Sequence, residues 1–427
     1  MTTPVTTAQH THTQWLGPIP AAWDVIRLKF VATVFPSNVD KHSREDETPV
    51  ELCNYTDVYY NDIISADIDF MKATATSEQI EKFQLRSGDT IITKDSESAD
   101  DIGISAYVPE DLDGVVCGYH LSIIRPGRRV SGRFIKRLFD SHYVKAILET
   151  SANGLTRVGL GQYALDNIDI PVPPLTSQNA IAAFLDHETA KIDALIDKQE
   201  QLIATLREER QSVVSSALSG YPTIPLHRLV DPARPMSYGI LQCGEHVEDG
   251  IPYIGPSDMP GRGDSPALDR LRRTSPEIAD QYRRSVVQGG DIVVSIGPAY
   301  GKVALLTDDL SGSNLTQDTV RVAPVQPSID PDFLVWALGS YEAESFWDAE
   351  ITGATFRRLN LGTLGQTPIP LPDLTTQQDI RNRLEATTAN VDTLIDKSAE
   401  MIKVLREYRS ALITNAVTGK IDVREAV

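Results

Sequence analysis

The sequence predicts an α+β protein made of two tandem mixed domains, each followed by a long helix. The two helices are expected to pair as an antiparallel coiled coil with internal pseudo-twofold symmetry. Three observations predict this. Pro171 to Gly220 is repeated by Pro370 to Gly419 without a gap; each copy carries a heptad seam; and each copy follows a domain-sized segment of one plan. The copies share Leu175/Leu374, Thr176/Thr375, Gln178/Gln377, Ile181/Ile380, Leu195-Ile196-Asp197-Lys198/Leu394-Ile395-Asp396-Lys397, Leu206-Arg207-Glu208/Leu405-Arg406-Glu407, Arg210/Arg409 and Gly220/Gly419. A period near half the chain length is too long for a solenoid, so it reads as duplication of one large module.

The seam justifies the helices. In the first copy Ile181, Leu195 and Leu202 fall on one register and Leu185, Ile192, Leu206 and Val213 on the other, with Glu188, Gln199 and Glu209 interrupting. In the second the registers hold Ile380, Leu394, Met401 and Tyr408, and Leu384, Val391, Leu405 and Leu412, with Thr387 and Ser398 as polar interruptions. Apolar residues alternating three and four apart over about six heptads keep one stripe facing a partner helix. Thr375 with Gln378 fits a capping box, Thr176 with Asn179 is a weaker version, and Gly220 and Gly419 suit helix C-termini. About 40 residues make a rod of roughly 60 Å. The roughly 150 residues between the helices form a compact domain whose ends lie close together. A parallel pair would force that domain to span the rod, so antiparallel pairing is expected, with one domain at each end.

The expected organisation is a disordered leader over 1–14, a first domain over 15–172, a first long helix over 173–220, a second domain over 221–371, a second long helix over 372–420 and a tail over 421–427. The first domain opens with Trp15-Leu16-Gly17-Pro18-Ile19-Pro20-Ala21-Ala22-Trp23, where the prolines forbid a helix and the two Trp residues pack the entering chain onto the domain. Both domains then carry a Gly-Asp turn entering an apolar strand, Ser87 to Ile92 and Gly289 to Val294, and further strands around Gly103 to Val108 and Gly301 to Leu306. Asp89 and Asp291 read as turn residues rather than metal ligands or catalytic acids, because such turns are commonplace. Helical segments follow over Phe134 to Leu148 and Phe333 to Phe346. Before each long helix stands Gly-x-Thr-x-x-x-Leu, at Gly154 to Leu160 and Gly353 to Leu359, then a stiff proline hinge.

Composition bounds the chemistry. The 427 residues suffice for two cores and the helices. The net charge of −19 runs against a nucleic-acid reading, because DNA-binding domains are usually basic. Cys53, Cys117 and Cys243 are odd in number and widely spaced, which fits a reduced, cytoplasmic setting and neither a disulfide framework nor a zinc site. The N-terminus is not a signal peptide, and no apolar run approaches the roughly 18 residues needed to cross a bilayer, so no membrane association is expected. No catalytic or metal site is expected: Gly297 to Val303 only approximates a phosphate loop, and the histidines lack metal-ligand spacing.

Basic residues cluster instead. Arg125, Arg128, Arg129, Arg133, Lys136 and Arg137 lie in one stretch of the first domain, and Arg262, Arg270, Arg272, Arg273, Arg283 and Arg284 gather in the second. Arg157 and the pair Arg357-Arg358 sit in the Gly-x-Thr segments. Arginine suits bidentate contacts with phosphate and with guanine edges; any single one reads more readily as a solvated charge or an ion-pair partner, and it is the two clusters in two matched domains that point to DNA. Arg125, Arg128, Arg129, Arg133, Arg157, Arg270, Arg272, Arg273, Arg283, Arg284, Arg357 and Arg358 are therefore the candidate DNA contacts. The acidic total is reconciled if the Asp/Glu excess lies away from the DNA, or if a basic partner supplies much of the phosphate contact.

The tandem plan, Trp-Leu-Gly-x-Ile-Pro-x-x-Trp at the start, the Gly-x-Thr-x-x-x-Leu and Ile-Pro-x-Pro-x-Leu-Thr-x-Gln entries, and the repeated Leu-Ile-Asp-Lys helix closely resemble the specificity subunit of type I restriction-modification systems. That resemblance covers nearly the whole chain. It implies two target recognition domains reading a bipartite double-stranded DNA sequence, one half-site each, and no catalytic activity of the chain's own. It further implies two docked adenine-N6 methyltransferase subunits, which hold S-adenosylmethionine, and motor-nuclease restriction subunits; the chain itself is expected to bind no cofactor. A methylation-only system is the nearest alternative. From the residues alone, a nuclease using Asp89 and Asp95 near Lys94, or a coiled-coil scaffold for two protein-binding domains, are the other readings. The seam residues Ile181, Leu185, Ile192, Leu195, Leu202, Leu206, Ile380, Leu384, Val391, Leu394, Met401 and Leu405 read as helix-to-helix core, and Lys198, Arg207, Lys397 and Arg406 as flanks available to partners.

Overall fold

In the computed structural model, residues 13–154, 156–325, 327–351 and 358–423 are described. Most of the expected leader, the last residues of the tail and the second Gly-x-Thr segment through Arg357 lie outside them. The chain divides into two compact units, Met1–Gln199 with Glu400–Val427, and Glu200–Ala399. Each long helix, Leu175–Leu218 and Leu374–Val417, has 44 residues and gives one half to each unit.

The strands of the first unit are β1 (Asp24–Arg27), β2 (Ala32–Pro36), β3 (Thr48–Cys53), β4 (Met71–Ala75), β5 (Thr90–Thr93), β6 (Asp95–Ser96), β7 (Ser105–Tyr107), β8 (Val115–Cys117), β9 (Leu121–Pro126), β10 (Val158–Gly159) and β11 (Asp169–Val172). An antiparallel sheet runs β2-β9-β5-β7, and a mixed one runs β4-β3-β8 with β3 and β8 parallel. Ile91, Ala106 and Ile123 of the first share a core with Leu52, Ala73 and Val116 of the second. The entering strand β1 pairs with the leaving strand β11, Asp24 opposite Val172, so the domain's two ends meet. At the entrance a single helical turn, Thr13–Leu16, precedes the prolines, and Leu16 is buried where Trp15 is exposed.

The second unit repeats this plan with β12 (Thr223–Pro225), β13 (Ser237–Tyr238), β14 (Ile251–Ile254), β15 (Arg273–Thr274), β16 (Ile292–Ser295), β17 (Val303–Leu305), β18 (Asn314–Leu315), β19 (Thr319–Val322) and β20 (Pro368–Pro370). Its sheets run β13-β19-β16-β17 and β15-β14-β18, with β14 and β18 parallel, and β12 pairs with β20. Its larger core draws Val214, Ala217, Ile380 and Leu384 from the long helices against Ile292, Val320, Phe333 and Trp347. Each expected short helical segment is two helices, Gly132–Phe139 and His142–Ser151, and Pro331–Leu338 and Tyr341–Glu350. The break falls where Ser141 and Ser340 cap the second helix by accepting the Val144 and Ala343 N–H groups.

Helix entry differs from the capping boxes anticipated. Asp373, two residues before Thr375, caps the second helix by accepting the Thr376 N–H at 3.0 Å. The repeated glutamines do the structural work instead. Buried Gln178 accepts the Ser131 N–H and donates to the Arg129 and Pro173 carbonyls, and Gln377 accepts the Asp330 N–H and donates to the Pro372 carbonyl. Each amide thereby ties a helix start to its own domain. Gly220 and Gly419, with φ of 83° and 72°, end the helices in the left-handed conformation as expected.

The helices run antiparallel. In the first unit Arg409 donates to Asp193 at 2.8 Å, and in the second Arg210 donates to Asp392 at 2.9 Å. Stepping 17 residues forward along one helix steps 17 back along the other. Leu185, Ile192, Leu206 and Leu384 are buried, Val391 and Leu405 are half-buried, and Ile181 and Ile380 are buried at the helix starts, as the seam required. The other register is shifted by one residue. Ile196, Ile203, Ile395 and Ile402 are buried, while Leu195, Leu202, Leu394 and Met401 are 42–50% exposed. Tyr408 is exposed as well. From Leu185 or Leu384, three-then-four and four-then-three steps are both heptad patterns, and adjacent Leu-Ile pairs satisfy either. Packing selects the one whose polar members, Thr189 and Thr388, bury well; the Thr189 hydroxyl donates to the Leu185 carbonyl at 2.7 Å.

Replacing Ile196 by Ala should lower unfolding free energy by about 2–5 kcal/mol, and Leu195→Ala should stay within about 0.5 kcal/mol. Denaturant titration followed by circular dichroism measures both. The opposite ranking would put the seam back on Leu195.

Candidate nucleic-acid interface

Three strands of each domain end at one place. In the first domain, β3 leads into the helix Tyr55–Tyr60, β5 into Lys94-Asp95, and β8 into Tyr119-His120. The Lys94 N–H donates to the His120 carbonyl at 3.0 Å, and the Lys94 carbonyl accepts the Leu160 N–H at 2.8 Å. In the second domain the Ile296 N–H donates to the Asp318 carbonyl at 2.8 Å, and the Ile296 carbonyl accepts the Leu359 N–H at 3.0 Å. Leu160 and Leu359 are the leucines of the two Gly-x-Thr-x-x-x-Leu segments, and both are buried. That motif is thus an anchor pinning a loop across the strand ends. The turn after the first parallel strand matches too: Asp57 accepts the Asn54 N–H and Asp258 the Gly255 N–H, each at 2.8 Å.

On this shared backbone the side chains differ. In the first domain Asp95 accepts from His120 Nδ1 at 2.8 Å and lies 3.5 Å from Arg157. A carboxylate only accepts, so His120 carries its proton on Nδ1 and turns Nε2 away from Asp95. Tyr55 stacks on Tyr59 at 5.5 Å, His120 packs against Tyr55 and Tyr119, and Lys94 lies over the Tyr119 ring at 5.7 Å. Burial pushes the Lys94 amine below its ordinary range, and its Nζ donates to the Ser37 carbonyl at 2.8 Å. In the second domain Asp318 takes the place of His120 and pairs with Arg358 at 3.2 Å; Arg358 also donates to the Gln317 carbonyl. Exposed Tyr238 flanks this site, because the Gly239 N–H donates to the Thr316 carbonyl.

The remaining candidate arginines are dispersed. Arg125 donates bidentately to Asp89 at 2.8 and 2.7 Å and stacks on Phe35, so its charge is spent inside the fold. Asp89 is fully buried and also accepts the Arg86 N–H, which makes it a turn lock and removes it from any metal-dependent nuclease site. Asp291 does the same with Arg234 and the Gln288 N–H. Arg133 pairs with Asp186 of the first long helix, as does Arg137, and Arg262 pairs with Asp396 of the second; these join each domain to a helix. Arg129 pairs with Asp24, Arg283 with Asp280, Arg273 donates to the Gly250 carbonyl, and Arg272 lies over Tyr253. Arg128, Arg270 and Arg284 are exposed and make no ion pair among the described residues. Arg357 lies outside the described residues. The structure therefore brings Arg157 and Arg358 to equivalent sites and draws most of the first-domain cluster into structural ion pairs.

Sequence reading passed over Tyr55, Tyr119, His120, Gln317 and Asp318. A signal for them existed in the duplication itself, since they stand between repeated landmarks at points where the two halves differ.

A family model described as the type I restriction modification DNA specificity domain matches residues 20–205 and 245–403. The chain belongs to this family. It is 28% identical over 306 residues to the type I restriction enzyme EcoBI specificity subunit of Escherichia coli, a match covering 65% of this chain and 64% of that relative. To the EcoKI specificity subunit of Escherichia coli strain K12 it is 24% identical over 213 residues, 48% of this chain and 44% of the other. Its fold resembles a solved chain described under complex assembly and conformational transition of the type I R-M system, with TM-score 0.61, 19% identity, and coverage of 95% of this chain and 100% of that one. Specificity subunits are the non-catalytic DNA-recognition components of such systems, and among the described residues no helix is long and apolar enough to cross a membrane.

Asp89→Ala should cost about 3 kcal/mol of stability, because it strands a largely buried guanidinium. Calorimetry or denaturant titration of the full chain measures it; unchanged stability would remove the turn-lock assignment.

Proposed function

We propose that this specificity subunit reads a bipartite double-stranded DNA target, one half-site per domain, and recruits catalytic partners to it. The observation that carries this reading is the strand-end junction, present in both domains with the same backbone hydrogen bonds and different side chains. A frame that stays constant while its side chains change is what two readers of two different sequences require. Two units built alike suit a duplex, whose two strands are related by twofold symmetry.

The partners we propose are two adenine-N6 methyltransferase subunits that hold S-adenosylmethionine, with restriction subunits joining them. Support comes from the exposed flank of the helices. Leu195 and Leu202 on the first, and Leu394, Met401, Val404 and Tyr408 on the second, are apolar residues outside the seam. Large apolar side chains repeated every seven residues on a water-facing stripe mark an association surface. Lys198, Arg207, Lys397 and Arg406 border it and are exposed. Basic partner surfaces would also offset the −19 charge that opposes DNA binding by this chain alone.

Mapping N6-methyladenine across the genome, with and without this gene, tests the function. A split motif that disappears on deletion is expected; an unchanged pattern in cells expressing the methyltransferase would favour the scaffold reading. For the docking stripe, Leu195→Glu combined with Leu394→Glu should weaken co-purification of the methyltransferase at least tenfold while leaving helix content unchanged. Retention of the partner by this folded variant would move the docking surface elsewhere.

A further inference from the structure

We infer that Arg157 and Arg358 each read a guanine, one in each half-site, and that Asp95 and Asp318 hold them in position. The inference rests on the bipartite reading and assigns it a base and a residue in each domain. Both arginines are at the junction, both are about half exposed (54% and 46%), and each has one carboxylate beside it, at 3.5 and 3.2 Å. The two halves reach this arrangement by different routes. In the first domain the carboxylate follows β5, as Asp95; the residue at that point of the second domain is Gly297, and the carboxylate comes from the β18–β19 loop as Asp318. A Cβ on Gly297 would lie 3.0 Å from Asp318, so the glycine leaves that carboxylate its room. The arginines are displaced as well, three residues before the anchoring leucine in one case and one before it in the other. Sequence positions have changed and the Arg-Asp juxtaposition has not.

The carboxylate also selects the target. An arginine meant for the phosphate backbone is weakened by a neighbouring negative charge, whereas the neutral guanine edge offers two acceptors, O6 and N7, to the planar fork. A carboxylate on one side of the guanidinium restricts its rotamers and leaves the remaining N–H groups pointing outward. Arg128, Arg270 and Arg284, which have no such neighbour among the described residues, suit phosphate contact instead.

The test uses the full chain assembled with its methyltransferase. N6-methyladenine mapping of the wild type identifies the split motif, and competition binding against duplexes substituted at each position measures discrimination. A guanine is expected in each half. Arg157→Ala should reduce discrimination at one guanine of one half-site roughly tenfold or more and leave the other half unchanged, and Arg358→Ala should do the converse. Arg157→Lys should not restore it, because an ammonium lacks the fork. Asp318→Ala should lower discrimination at the Arg358 position while strengthening nonspecific binding and steepening its salt dependence; a purely structural aspartate would weaken both kinds of binding. Arg270→Ala should flatten the salt slope without altering discrimination. A split motif lacking guanine in either half, or a uniform loss across all positions in Arg157→Ala, would overturn the assignment. Absence of any split motif in the wild type would instead overturn the bipartite reading beneath it.

Discussion

The seam between the two long helices is the constraint on which the rest depends. Each helix serves both units, with one half packed in each, so neither domain has a complete support from one copy of the repeat. Buried isoleucines at Ile196, Ile203, Ile395 and Ile402 supply the apolar part, and the reciprocal pairs Arg409–Asp193 and Arg210–Asp392 supply direction. A half-buried ion pair contributes modest stability, because desolvation offsets much of its attraction. Its stronger effect is on specificity of pairing, since a parallel arrangement would separate both pairs at once.

Each domain separates a backbone frame from the side chains it carries. The frame is backbone hydrogen bonding at the ends of β5 and β16, closed by Leu160 and Leu359, and glutamines Gln178 and Gln377 that bind the helix starts to the domain. Backbone groups carry no sequence information, so the frame tolerates substitution around it. The reading surface proposed above is side chains alone: Tyr119, His120 and Arg157 in one domain, Gln317, Asp318 and Arg358 in the other. Under the proposed function, this division would let two domains of one fold address two different half-sites without altering how either one meets its helix.

Most of the arginines are engaged in holding the protein together. Arg125, Arg133 and Arg137 face Asp89 and Asp186, and Arg262 faces Asp396. Much of the apparent basic clustering is therefore neutralised locally, which is consistent with a strongly acidic chain and leaves few cations to meet DNA directly. Fewer free cations mean less nonspecific attraction to phosphate, so base contacts weigh more in the balance.

Duplication, helix length, antiparallel pairing and the mixed character of each domain were legible in the sequence, because they depend on periodicity and on chain connectivity. One heptad register was legible as well. The other was not: Leu195 and Ile196, and Leu394 and Ile395, fit the pattern equally, and only packing in three dimensions distinguishes a seam residue from its exposed neighbour. The site divided in the same way. Arg157 and Arg358 could be named from their place beside repeated motifs, but their aspartates and the aromatic side chains around them come from loops distant in the chain. Local sequence determines what each segment can be; which side chains meet is decided by how the strands end together, and no local pattern records that.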